Sequence, residues 1–276
     1  MRVASGDAVP AGDGRPLSAA PAGPGEFAAL AGAALVLGAS GSLGSAVAAM
    51  LLARGSKVAM TYRRSSPVVA ELAARHSGRA RAYQLDLTDA AACARVAASV
   101  GADFDGVHTV VYAAGPHVPM TYLSAVNAES FRSQLEQDAI AFLFAMVPLI
   151  SMLRASQGSV IAVTTAATSR HAVRDGLSSI PKAAIEAAVR AIAAEEGRYG
   201  VRANCVGPGM LTDGMAARLI NSGDLDEHAL GVARRNIPLR RFGTATDVAE
   251  AVCFLASDRA RFISGQKLDV DGGYGA

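Results

Sequence analysis

Several things are scarce in this chain, and each scarcity excludes something. Its 276 residues carry a net charge of only +2, and no basic face stands out, so neither nucleic acid nor an anionic membrane surface is an expected partner. Cysteine occurs three times, at Cys93, Cys205 and Cys253, each far from the others and set among apolar residues. That pattern describes reduced, buried thiols rather than a disulfide frame, and the expected location is cytoplasmic. No apolar run is expected to span a bilayer: Ala139 to Leu153 reads as too short and ends at Arg154. Between Gly44 and Glu71 there is no acidic residue. Between Tyr122 and Tyr199 there is no tyrosine. Both gaps matter below.

What is present is 51% hydrophobic and strongly patterned. Residues 1–26 hold Pro10, Pro16, Pro21 and Pro24 among Gly, Ala and Ser without apolar periodicity, and read as a disordered extension. They lack the apolar core of a secretory signal, and Asp7, Asp13 and Glu26 argue against a transit peptide. From Phe27 onward short apolar runs alternate with helical patterns, with no compositional break. Strands are expected at Leu35–Leu37, Lys57–Tyr62, Arg81–Leu85, Val107–Tyr112, Ser159–Thr164, Val201–Val206 and Lys267–Val270. Helices are expected between them, including a long one from Ala128 to Arg154 kinked at Pro148 and another from Ser179 to Gly197. This alternation describes one doubly wound Rossmann domain, residues 27–276, with a mainly parallel seven-stranded sheet flanked by helices.

The first strand runs into Gly38-Ala39-Ser40-Gly41-Ser42-Leu43-Gly44. Gly38 permits a tight turn, and small Ser42 and Gly44 allow close approach of a ligand and of the next helix. That helix would aim its free N–H groups at a pyrophosphate. In such sites an Asp or Glu about 20 residues onward accepts the ribose 2′-hydroxyl of NAD. Here the second strand ends instead in Thr61-Tyr62-Arg63-Arg64-Ser65-Ser66, and no acid is present. Two guanidiniums suit a 2′-phosphate, so the expected cofactor is NADP(H).

At this point the chain resembles the short-chain dehydrogenase/reductase family, from about Ala31 to the C-terminus. The resemblance is carried by Ile237-Pro238-Leu239-Arg240-Arg241-Phe242-Gly243, Asp247-Val248-Ala249, Ile263-Ser264-Gly265-Gln266 and Val270-Asp271-Gly272-Gly273. It looks like the branch that holds 3-oxoacyl-(acyl-carrier-protein) reductases. The resemblance implies Asp86 and Leu87 beside the adenine and Ala113-Ala114-Gly115 under the coenzyme. It implies Pro208 and Gly209 bordering the nicotinamide, and Thr212 near its carboxamide. It also implies a four-helix contact between copies, hence a homodimer or homotetramer.

The family's catalytic set is Asn, Ser, Tyr and Lys, with Tyr four residues before Lys. Lys182 occupies the lysine position, but Ser178 stands four residues before it. Thr165, thirteen residues before Ser178, takes the serine position, and the asparagine position falls on Asp138. An aliphatic hydroxyl is far less acidic than a phenol, so Ser178 is no equivalent proton donor. Thr165, Ser178 and Lys182 read as an oxyanion site, with Asp138 holding Lys182. Such a site suits substrates whose reduced anion is already stabilised: conjugated ketones, quinones or α,β-unsaturated thioesters. A second reading is a carbonyl reductase acting on a 3-oxoacyl or polyketide-like substrate through an unconventional proton relay. The third reading left open is an NADP-binding subunit or sensor without catalysis. The loop Ala166–Leu177 has no tyrosine but holds His171 and Asp175. Loop histidines such as His171 and His117 are most often solvated. The segment 210–236, with its turn-rich Asn221-Ser222-Gly223-Asp224, is expected to form a lid on the substrate side.

Overall fold

The computed structural model describes residues 25–213 and 227–276. Seven strands, β1 (Ala33–Leu37), β2 (Val58–Tyr62), β3 (Ala80–Gln84), β4 (Val107–Tyr112), β5 (Ser159–Val163), β6 (Arg202–Pro208) and β7 (Lys267–Val270), form one sheet in the order β3-β2-β1-β4-β5-β6-β7. Every pairing in it is parallel. The physical reason lies in the strands themselves. Each residue of β1, β4 and β5 is buried, as sheets covered on both faces require. Alternate side chains serve opposite cores: Ala34 and Val36 face one, Ala33, Leu35 and Leu37 the other.

Helices α1 (Ser42–Ala53) and α7 (Ala245–Ala256) cover the first face. The second is covered by α3 (Ala90–Phe104), the long helical run α4 (Ala128–Ser156) and α5 (Gly176–Glu196). Helix α2 (Pro67–Arg75) follows β2, and α6 (Glu227–Asn236) precedes α7. Capping accounts for several helix starts. Ser66, Asp89 and Asn127 each accept a backbone N–H of the first turn, and Thr244 with Asp247 forms a reciprocal capping box.

Three expectations need correction. Glu26 belongs to the folded part: its carboxylate pairs with Arg54 at 3.1 Å and Arg259 at 2.9 Å, beside Phe27 at 1% exposure. The expected disordered stretch is thereby shortened, and its residues 1–24 lie outside the described ones. Helix α5 begins at Gly176 rather than Ser179, so Pro181 sits inside it instead of in the first turn. The third concerns α4. It runs 29 residues, with a mean hydropathy of 1.9 in its most apolar window, long and apolar enough to cross a membrane by length and composition. It continues through Pro148 because a tighter turn at Val147–Leu149 absorbs the missing donor. Phe142, Ala145, Met146, Leu149 and Leu153 fasten it to the core, while Ile140, Leu143 and Val147 remain exposed. Of the expected lid, residues 214–226 lie outside the described ones.

Candidate active site

Strand order reverses between β1 and β4, and the crevice beyond their carboxyl ends is where such sheets bind ligands. There the loops after β1 and β4 touch. Gly38 has φ +84°, and a Cβ on it would lie 2.7 Å from the Cα of Ala114. Glycine is required on both counts. Thr61, at 2% exposure, fixes the turn by accepting the Gly38 N–H at 3.0 Å. A Cβ on Gly44 would stand 2.3 Å from the Gly38 carbonyl oxygen, so this glycine sets how closely α1 approaches the turn.

The crevice has a volume of about 460 Å³. Of the expected coenzyme contacts it gathers Gly38, Ser40, Arg63, Arg64, Asp86, Leu87, Ala113, Ala114 and Gly115. It adds Gly41, Thr61, Tyr62, Leu85, Thr88, Pro116, His117 and Gln137, most of which the motifs did not single out. Ser42, Leu43 and Gly44 open α1 beside the crevice without lining it. No side chain caps this helix, so its first N–H groups are left for a ligand. Arg63 and Arg64 are exposed, and neither enters an ion pair among the described residues. Asp86 is held below the usual carboxylate range by bonds from the backbone N–H and hydroxyl of Thr88.

Lys182 lies on α5 and reaches Ala114, one of the residues that line the crevice. Its Nζ donates to Asp138 Oδ1 at 2.9 Å and to the Ala114 carbonyl at 3.3 Å. The two side chains are 12% and 4% exposed, so this is a buried ion pair. Asp138 reaches it because α4 widens into a π turn at Glu136–Ile140, a distortion frequent at functional sites. The sequence pattern of α4 carries no sign of that turn. Two of the three ammonium protons are thus engaged, and one is left for a ligand hydroxyl.

A phenol does come near. Lys182 Nζ stands 5.8 Å from the centre of the Tyr112 ring. Tyr112 is nevertheless no substitute acid. It is fully buried, packs edge-on against Phe142, and its hydroxyl donates to the Asp138 backbone carbonyl at 3.0 Å. Burial raises its pKa well above the ordinary phenol value, so it holds its proton more tightly than a free phenol. Its visible work is to brace the π turn that carries Asp138.

Thr165 opens a short turn at Ala166–Thr168, where its hydroxyl accepts the Ala167 N–H at 3.2 Å. Its backbone carbonyl takes the Thr168 hydroxyl at 3.0 Å. Ser178 sits half-buried in the first turn of α5, and its hydroxyl has no hydrogen-bond partner among the described residues. Among the described residues no hydrogen bond joins Thr165, Ser178 and Lys182 to one another. Pro208 ends β6 and Gly209 follows it, with the Gly209 N–H donating to the Val270 carbonyl at 3.0 Å. The Thr212 hydroxyl donates to the Gly243 carbonyl at 3.3 Å, which ties this segment to the start of α7.

Nicotinamide coenzymes fit what is here: a glycine turn that any side chain would fill, uncapped helical N–H groups, and a lysine with a free donor. The family described as enoyl-(acyl carrier protein) reductase matches residues 38–275. The chain is 31% identical to the 3-oxoacyl-[acyl-carrier-protein] reductase MabA of Mycobacterium bovis, over 87% of its own length and 92% of that protein. It is 30% identical to the cis-4-hydroxycyclohexanecarboxylate dehydrogenase of Sinomonas cyclohexanicum, over 88% and 96%. A solved short-chain type dehydrogenase/reductase from Mycobacterium ulcerans superposes with a TM-score of 0.81 at 28% identity, over 89% of this chain and 90% of that one. The chain belongs to the short-chain dehydrogenase/reductase family of oxidoreductases.

Proposed function

We propose that the protein is an NADPH-dependent reductase acting on an activated carbonyl or conjugated C=C by a route that uses no catalytic tyrosine. The observation that carries the reading is the locked Lys182–Asp138 pair beside Ser178. Residue 178 is serine where the family's phenol is expected, and the lysine that would tune a phenol is already neutralised by a carboxylate 2.9 Å away. Residues 27–276 are read as the NADP-binding domain. Gly38, the start of α1 and Asp86 would hold the adenosine and pyrophosphate, and Arg63 and Arg64 the 2′-phosphate. Lys182 would donate its remaining proton to a ribose hydroxyl. When bound, the coenzyme supplies hydride.

This chain's own residues then orient the acceptor and steady the charge that forms on it. Ser178 and Thr165 offer hydroxyl donors to an oxyanion and Lys182 its nearby charge, which suits enones, quinones and enoyl thioesters, while oxoacyl or polyketide-like ketones need a separate proton relay. The exposed stripe Ile140, Leu143 and Val147 on α4 is read as a contact between copies in a dimer or tetramer.

Fluorescence titration with NADPH and NADH tests the coenzyme reading. NADPH is expected to bind at least about 10-fold more tightly, a preference that Arg63→Ala with Arg64→Ala removes, since each charge-assisted contact contributes about 1.5–3 kcal/mol. Equal affinity for both coenzymes refutes it. Tight NADPH binding with no oxidation across enones, quinones and oxoacyl thioesters would favour a non-catalytic binding subunit or sensor instead.

A further inference from the structure

Because Thr165 is not bonded to Ser178 or Lys182 among the described residues, their relative placement depends on a shared support. A charged cluster that the scheme above leaves unused supplies one. Lys267 and Asp269 stand two positions apart on β7 and so project from the same face of the sheet. In the neighbouring strand β6, Gly207 lies opposite Asp269. A Cβ on Gly207 would fall on Asp269 Oδ1, and would lie 2.5 Å from Lys267 Cε and 3.2 Å from the Thr165 carbonyl carbon. Glycine is needed at this position for space, and the two β7 side chains occupy that space.

The Lys267 side chain is 15% exposed and meets four groups. Its Nζ donates to the hydroxyl of Thr168 and to that of Ser169 at 2.9 Å. It pairs with Asp269 Oδ1 at 3.0 Å and stands 3.5 Å from Glu186 Oε1. An ammonium only donates, so both hydroxyls accept from it and aim their own protons elsewhere. That of Ser169 goes to Asp269 Oδ2 at 2.7 Å. That of Thr168 lies between Glu186 Oε1 at 2.7 Å and the Thr165 carbonyl at 3.0 Å.

Glu186 sits on α5 four residues after Lys182, one turn along the same helix. One shielded cation therefore bears at once on the Thr165 turn and on the helix that carries Ser178 and Lys182. Without its charge, the carboxylates of Glu186 and Asp269 would be left together in poorly hydrated surroundings, and the Thr168 hydroxyl would be free to rotate. The end of the same turn is fastened to the C-terminal segment a second time. The Arg170 guanidinium donates to the Tyr274 carbonyl at 2.6 Å and lies 4.5 Å from the centre of the Tyr274 ring.

We propose that Lys267 is a positioning residue: through Thr168 and Glu186 it sets the Thr165 hydroxyl relative to Ser178 and Lys182. The inference rests on the reading of those three side chains as the groups that meet the oxyanion.

The test uses full chains of wild type, Lys267→Met and Thr168→Val. Thr168→Val strands no charge and keeps the side-chain shape, so it decides the matter even if Lys267→Met fails to fold. Amide hydrogen exchange of the apoprotein reads the turn without turnover. The Ala167 N–H is bonded to the Thr165 hydroxyl at 3.2 Å, and the Thr164 N–H to the Val206 carbonyl at 2.8 Å. Exchange at Ala167 is expected to quicken at least about 10-fold in the variants while exchange at Thr164 is unchanged. Quickening of both amides alike, or of neither, overturns the proposal. Turnover is followed with NADPH and the probes 2-cyclohexenone and menadione. In Thr168→Val kcat is expected to fall at least about 10-fold at unchanged NADPH affinity, since a small misplacement is that costly. Added to Thr165→Val, the same substitution is expected to cost nothing more, because the group it positions is already gone. Effects that multiply would overturn the positioning role and leave a structural one. A wild type that binds NADPH but reduces neither probe overturns the reductase reading alone, and the exchange rates still decide whether Lys267 holds the turn.

Discussion

Cutting either end of the Lys182–Asp138 pair should unfold the protein more easily, and cutting both should cost much less than the sum. The charges are 2.9 Å apart and the side chains 12% and 4% exposed. At an effective dielectric of about 20, unit charges at that distance attract by about 6 kcal/mol, much of it offset by the desolvation of both ions. Removing one partner strands the other, a loss of about 3–5 kcal/mol. Lys182→Met leaves the Asp138 carboxylate alone in an apolar setting, while Asp138→Asn leaves the ammonium with the Ala114 carbonyl and a neutral amide. The double variant has no stranded charge. Urea unfolding of the apoprotein at pH 7 should therefore give a coupling energy of about 2–3 kcal/mol across the cycle. Additivity within about 0.5 kcal/mol would show that the two side chains do not sense each other, and the neutralised-lysine argument would fall with it.

Two further expectations follow from the same structure. His108 is buried against Ser56 at 3.2 Å and Thr109 at 3.0 Å, and burial pulls its imidazole down to about 4. A free histidine titrates near 6.5, so the unfolded chain takes up this proton first, and stability worth about 3 kcal/mol is present above about pH 6.5 and lost as pH falls toward about 4. Urea midpoints of His108→Gln should be flatter than wild type between those limits, and parallel slopes would refute the assignment. At the glycine turn, Gly44→Ala drives a methyl to 2.3 Å from the Gly38 oxygen, whereas Gly41→Ala meets only that oxygen at 3.6 Å. The first should lose about 1–3 kcal/mol and weaken NADPH binding at least about 10-fold, the second should be nearly neutral, and equal effects would refute the close-packing argument.

The fold was legible in the residues because local chemistry dictates most of it. Continuous apolar runs such as Leu35–Leu37 read as strands covered on both sides, and β4 has the bounds its pattern indicates. The glycine turn, the Arg63–Arg64 pair and the Ser178 to Lys182 spacing are equally local, since each depends on neighbours within a few positions. What depends on distant partners was not legible. The π turn that presents Asp138 arises where α4 packs against β4 and α5, and no residue type encodes it. The bracing of that turn by Tyr112 joins residues 26 positions apart. The bond from the Thr212 hydroxyl to the Gly243 carbonyl joins residues 31 positions apart. Sequence determined which chemical groups this protein owns and in what order. Only tertiary packing decided which are already spent on one another, because whether a group is free depends on burial and distance, which spacing along the chain does not measure.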